Sequence, residues 1–219
     1  MARSTGATTG RSGSNVSAVI LAGGKSRRFG SDKTVATVNG RRVLDLVVEA
    51  ASKHTDDVLV IGPWAPDGVS HIVETDSSQG PLNALAFAFG QVLYPRVLLL
   101  GGDHPLLSHA LLSHLTRDDH RSDAVVPRLA TRGQPLVACY RKEVAETARG
   151  LVASGERRLM ALLDNIHVRW MEESEWRGLD PEGLSFMDVD TPDDLEEVRR
   201  VWDLGSDPFE PGWVKPTEG

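Results

Sequence analysis

Residues 21–33 read Leu21-Ala22-Gly23-Gly24-Lys25-Ser26-Arg27-Arg28-Phe29-Gly30-Ser31-Asp32-Lys33, directly after the apolar run Ala18-Val19-Ile20-Leu21. Glycines let main-chain N–H groups come close to anionic oxygens, and Lys25, Arg27, Arg28 and Lys33 supply positive charge. That chemistry suits a polyphosphate delivered to the end of a strand. Gly24-Lys25-Ser26 imitates the close of a P-loop, but the P-loop spacing needs glycine at position 19, where Val19 stands. The segment is therefore a different kind of phosphate loop.

Two acidic segments could complement it. Leu98-Leu99-Leu100-Gly101-Gly102-Asp103-His104-Pro105 places Asp103 just past a buried apolar run. A carboxylate there needs a cation, which a hard metal such as Mg²⁺ would supply, or it caps the helix expected near Ser108. His104 reads as a rim residue and not a metal ligand, since Mg²⁺ prefers oxygen. Further on, Phe186-Met187-Asp188-Val189-Asp190-Thr191-Pro192 reads as an extended strand that turns Asp188 and Asp190 to one face. We assign Asp188 to the metal beside Asp103. Asp190 is assigned to electrostatic support of the helix that follows.

The elements that must position these groups alternate along the chain. Short apolar runs at 16–21, 57–61, 70–73, 96–100 and 124–126 predict buried strands. Amphipathic stretches at 42–53, 81–93 and 108–117 predict the helices between them. Pro81 suits the first turn of its helix. The second half is more mixed, with strands expected at 135–141 and 167–172 and helices at 143–152 and 156–163. Thr191-Pro192-Asp193-Asp194 predicts a capping box opening a helix that runs to about residue 204. The expected architecture is a three-layer α/β fold, a mostly parallel but mixed sheet with helices on both faces. In such sheets ligands sit at the carboxyl ends of the strands.

Bulk properties narrow the class. Forty per cent hydrophobic residues over 219 positions suffices for one sizeable core, expected over 16–204. Residues 1–15 read as a disordered tail, and 205–219 as a Pro/Gly-rich tail that Phe209 or Trp213 could pin to the surface. A net charge of −7 argues against nucleic acid and anionic membrane as partners, so the basic loop is a local site in an acidic protein. No apolar run reaches the roughly 18 to 20 residues of a membrane span. One cysteine, Cys139, excludes an internal disulfide and fits a reducing, cytoplasmic setting, most simply as a small buried hydrophobe.

Taken whole, residues 21–33 resemble L-A-G-G-x-S-x-R-M-G-x-D-K, the signature of the molybdenum cofactor guanylyltransferase family, with Phe29 in the place of Met. Asp103-His104-Pro105-Leu106 resembles that family's D-x-P-[FLY], and Gln79-Gly80-Pro81-Leu82 its G-P-L element. Gln134-Pro135-Leu136 and Gly155-Glu156-Arg157-Arg158 resemble its Q-P-L and G-E-R-R stretches. The segment 188–194 resembles N-x-N-T-P-E-D-L, with Asp188 and Asp190 replacing Asn.

The resemblance implies a Rossmann-like fold of the nucleotide-diphospho-sugar transferase type. It implies Mg²⁺-dependent transfer of GMP from GTP to molybdopterin, the molybdenum cofactor. Asp103, Arg28 and Lys33 would act in catalysis, and Asp103 with Asp188 would hold the metal. Leu21, Ala22, Gly23, Gly24, Lys25, Ser26, Lys33, Asp76, Gly80, Pro81 and Asp103 would bind nucleotide. Asp76 or Glu74 could accept from the guanine N1–H and exocyclic amine, or stand as a solvated loop acid. Gln134, Arg157 and Arg158 would face the acceptor, since arginine grips phosphate through its fork and stacks on planar rings. Maturation proteins of molybdoenzymes are the further partners implied. Two alternatives stand beside this reading: a cytidylyltransferase on the same pterin, suggested by Asp188-Val189-Asp190, and a nucleotide-binding carrier without turnover.

Overall fold

The computed structural model describes residues 15–23, 36–73, 79–117 and 121–204. Along the chain these form β1 (Val16–Leu21), β2 (Thr37–Val38), β3 (Arg41–Arg42), α1 (Val43–Ser52), β4 (Val58–Gly62), β5 (Ser70–Val73) and α2 (Gly80–Ala88). Next come β6 (Arg96–Gly101), α3 (His109–Leu115), β7 (Ala124–Leu129), β8 (Arg132–Gly133) and β9 (Val137–Arg141). The chain continues through α4 (Ala145–Ala153), α5 (Leu159–Leu163), β10 (Val168–Met171), α6 (Glu173–Trp176) and α7 (Pro192–Leu204). The main sheet has eight strands in the order β10-β7-β9-β6-β1-β4-β5, with β8 attached to β7.

Parallel pairing joins β6, β1, β4 and β5, and separately β7 and β10. Between these groups β9 runs antiparallel to both β6 and β7. That inversion gives the sheet its mixed character. It also brings the start of β9 to the same edge as the ends of β1, β4 and β6.

Side-chain alternation on the central strands explains the three layers. Ala18 and Ile20 of β1 and Leu98 and Leu100 of β6 face α1, α3 and α7. Val19, Val97 and Leu99 face α2, α4 and α5 on the other side. Strands buried on both faces read as continuous apolar runs, which is how the sequence carries them. Among the described residues no helix is long and apolar enough to cross a membrane.

Several boundaries depart from expectation. The helix expected over 81–93 ends at Ala88, where the Gly90 and Gln91 amides turn to Phe87 O and Ala88 O three residues back; beyond it Leu93 N–H donates to Asp57 Oδ2 at 2.8 Å, and Tyr94 N–H to Ser17 Oγ at 3.0 Å. The helix expected over 156–163 begins only at Leu159. An unanticipated hairpin joins β2 and β3 through Asn39 and Gly40, whose φ angles of 48° and 75° are those of a tight primed turn.

The Ser17–Asp57 contact that receives residues 93 and 94 also fastens the base of the sheet. Ser17 Oγ donates to Asp57 Oδ2 at 2.5 Å, and both residues are buried. Replacing Asp57 with Ala would leave the Ser17 hydroxyl and the Leu93 amide without this acceptor. We expect Asp57→Ala to cost about 3 kcal/mol. Urea unfolding should show a lower midpoint with an unchanged slope, and an unchanged midpoint would contradict the network's role.

Candidate active site

The chain leaves β1 between two glycines, Gly62 and Gly102. Ala22 N–H donates to Ile61 O at 2.8 Å, and Gly102 N–H donates to Leu21 O at 2.9 Å, so the ladder holds to the last described residues before the loop. A Cβ on Gly62 would lie 2.9 Å from the Ala22 carbonyl carbon, and one on Gly102 would lie 3.0 Å from Ala22 Cα. Leu21, Ala22 and Gly23 are thus placed at the sheet edge by close backbone packing. Gly23 is exposed there. Neither Gly62 nor Gly102 was singled out from the sequence, although Gly62 ends one apolar run and Gly102 lies just past another.

Asp103 follows Gly102 on the turn after β6. It does not cap α3, because Ser108 does, accepting from Leu111 N–H at 3.3 Å. Asp103 Oδ1 instead meets His104 Nδ1 at 2.9 Å. The His104 side chain is 8% exposed against 35% for Asp103. The expectation of a rim position for His104 is therefore corrected: its ring lies beneath the acid and orients it. Gly101 makes room for this arrangement, since a Cβ there would come within 2.5 Å of His104 Nδ1.

Asp188 reaches Asp103 through a clasp between two loops. Buried Asp180 accepts from Leu184 N–H at 3.0 Å and Ser185 N–H at 2.8 Å, shaping a short 3-10 turn. Ser185 Oγ then accepts from Ser108 N–H at 2.8 Å, and Val189 N–H donates to Asp103 O at 2.9 Å. The strand expected over 186–190 does not form, because the Phe186 and Met187 amides turn back to Gly183 and Leu184. Alternation survives without a ladder: Val189 is buried while Asp188 is exposed and Asp190 partly so. Partial loss of hydration against its neighbours raises the Asp188 carboxyl above the usual carboxylate range. His104 opposes that shift, while the charges of Asp103 and Asp190 reinforce it.

Carboxylates crowded in this way fit a hard divalent cation. Among the described residues no group of three His, Cys, Asp or Glu side chains forms a ready-made metal cage. Two acids suffice for Mg²⁺ when phosphate oxygens and water complete the octahedron. The start of α7 is closed by Asp194 and Thr191, with Asp190 contributing its backbone amide. Asp194 Oδ2 accepts from the Asp190 and Thr191 amides at 3.0 and 2.7 Å, and Thr191 Oγ1 accepts from Asp194 N–H at 3.2 Å.

Gly80 and Pro81 open α2, where Leu82 N–H donates to Arg157 O at 3.1 Å. Arg157 and Arg158 lie in an exposed turn between α4 and α5 and not in a helix. Gln134 sits near the start of β9, two residues before Leu136, whose carbonyl accepts from Gly101 N–H at 2.8 Å. A Cβ on the adjoining Gly133 would lie 2.7 Å from the Trp170 ring and 3.7 Å from Met160 of α5. Gly24, Lys25, Ser26, Arg28, Lys33, Glu74 and Asp76 lie outside the described residues.

Comparison with known proteins fits this geometry. Residues 18–170 match the family described as the MobA-like NTP transferase domain. The chain belongs to that family. A relative from Bacillus licheniformis, named a probable molybdenum cofactor guanylyltransferase, is 30% identical over 204 residues, covering 89% of this chain and 97% of its own. One of the same name from Chloroflexus aggregans is 29% identical over 196 residues, covering 84% and 93%. Among solved structures, molybdopterin-guanine dinucleotide biosynthesis protein A from Archaeoglobus fulgidus superposes with a TM-score of 0.75 at 21% identity, covering 85% of this chain and 98% of that one. That likeness establishes the Rossmann-like nucleotidyltransferase fold. Membership of an NTP transferase family makes this chain a nucleotidyltransferase.

Proposed function

We propose that this nucleotidyltransferase moves GMP from GTP to the terminal phosphate of molybdopterin, giving the guanine dinucleotide cofactor and pyrophosphate. The observation that carries the reading is the pairing of Asp103 and Asp188 at the sheet edge, fixed by the Val189 N–H to Asp103 O bond of 2.9 Å. The names of the relatives supply the substrates.

No side-chain nucleophile is required, since the pterin phosphate is itself anionic near neutral pH. It attacks the α-phosphorus in line, and pyrophosphate departs. The protein contributes position and charge. Gly23 exposes backbone where the phosphates would approach, and Arg28 and Lys33 would neutralise the triphosphate. Asp103 and Asp188 would hold Mg²⁺, which supplies positive charge to the phosphate oxygens. His104 would keep Asp103 in one orientation. Gln134, Arg157 and Arg158 would receive the acceptor, and Asp76 would read the base.

Pyrophosphate release with molybdopterin, Mg²⁺ and either GTP or CTP tests the reading directly. GTP should be strongly preferred. Preference for CTP would keep the chemistry and replace the substrate, and release from neither nucleotide would favour a carrier without turnover.

A further inference from the structure

We propose that Glu156 is a positioning residue that locks the acceptor turn to the nucleotide helix α2, so that the two half-sites are set together. This rests on the substrate assignments proposed above. Glu156 gathers the turn around its carboxylate. Oε1 accepts from Arg157 N–H at 2.8 Å, from Arg158 N–H at 3.0 Å and from Arg158 Nε at 3.1 Å, while Oε2 accepts from Arg158 Nη2 at 2.9 Å. Led by the side-chain bond from Arg158, these donors lower the Glu156 carboxyl to about 2. The preceding residues anchor the turn: Gly155, at φ 90°, reverses the chain, and Glu156 N–H returns to Leu151 O of α4 at 3.0 Å.

The ordered turn then touches α2 through its backbone. Arg157 O accepts the Leu82 amide, one of the first-turn donors that a helix cannot satisfy internally. Gly80, at φ 78°, packs so tightly on the turn that a Cβ would lie 2.8 Å from Arg157 Cβ and 3.0 Å from Arg157 O. Packing this close leaves the turn and the helix start no room to shift independently. Arg158 needs Glu156 as well, because its side chain is 78% exposed and the carboxylate is what fixes its guanidinium. A surface ion pair alone would be worth little to global stability. The value of this one lies in position.

Glu156→Ala and Glu156→Gln in the full-length protein test the proposal with two readouts. Hydrogen exchange of residues 79–88 without ligands should accelerate about five- to tenfold in Glu156→Ala, with the sheet unaffected. Calorimetric binding of Mg²⁺·GTP in the absence of acceptor should weaken by about the same factor, a coupling typical of linked sites. Glu156→Gln retains an oxygen for the two amides but loses the charge facing Arg158. It should keep GTP affinity within about twofold of wild type while raising the acceptor KM. Wild-type exchange at α2 in Glu156→Ala would overturn the proposal, as would equal loss of exchange protection across the whole fold in both variants. The exchange measurement needs no substrate. If the wild-type protein failed to use GTP, the functional reading would fall while exchange still decided the coupling.

Discussion

Asp103→Ala is expected to lower turnover on the order of a thousandfold while leaving the protein folded. The two halves of that expectation have separate origins. What Asp103 contributes to the fold is mainly backbone: its carbonyl receives Val189 N–H at 2.9 Å, a bond that alanine preserves. Removing the carboxylate breaks the 2.9 Å contact with His104, a loss of about 1 to 2 kcal/mol beside a partly exposed site. Chemistry loses far more. In the proposed reaction only Asp188 would remain to hold Mg²⁺, and charge developing on the phosphates would go uncompensated. Pyrophosphate release measured alongside urea unfolding separates these effects. Turnover within tenfold of wild type, in a protein of near-native stability, would refute the assignment of Asp103. Asp103→Asn sharpens the test, because it keeps the shape and the hydrogen-bonding capacity while deleting the charge.

How much of this site could be read before the structure depends on where each signal resides. Thr191, Pro192 and Asp194 carry their meaning within four residues, and the capping box formed as expected. The buried strands were equally legible, since a run such as Val97-Leu98-Leu99-Leu100 fits a sheet covered on both faces. Glu156, Arg157 and Arg158 read as helix because strong helix formers carry no local trace of the distant partner, Leu82, that fixes the turn. His104 was misplaced for a similar reason. Beside an acid and a proline it reads as a surface residue, and only the room left by Gly101 reveals that its ring turns inward. Asp188 was expected on a strand beside Asp103, and its segment does lie against Asp103 but forms no strand. Period-two alternation requires extended backbone, and that backbone is positioned here by Asp180 and Ser185 without a ladder. Across the site, local patterns singled out the candidate groups, while long-range backbone contacts determine how those that are described are held.

Gly62→Val separates those two kinds of information, because local propensity and tertiary packing predict opposite results. Valine favours strands, and Gly62 closes the fully buried β4, so propensity alone predicts a gain in stability. Packing predicts loss. A Cβ on Gly62 would lie 2.9 Å from both the carbonyl carbon and the Cβ of Ala22, and 3.0 Å from its oxygen. Ala22 cannot retreat, since Gly102 stands against its other side and its amide is tied to Ile61 O. Relief must come by moving the backbone at the end of β1, from which the proposed phosphate-binding segment departs. We expect a stability loss of about 2 to 3 kcal/mol. Mg²⁺·GTP affinity should fall by more than about tenfold, because small displacements of a binding loop are amplified in positioning. Gly40→Ala is the matched control. Its φ of 75° imposes backbone strain, but nothing lies within 4 Å of the added carbon. That variant should lose about 1 kcal/mol and bind GTP normally. A Gly62→Val protein with wild-type GTP affinity would show that the loop tolerates a displaced origin, and the close approach of Gly62 to Ala22 would then be packing without consequence for the site.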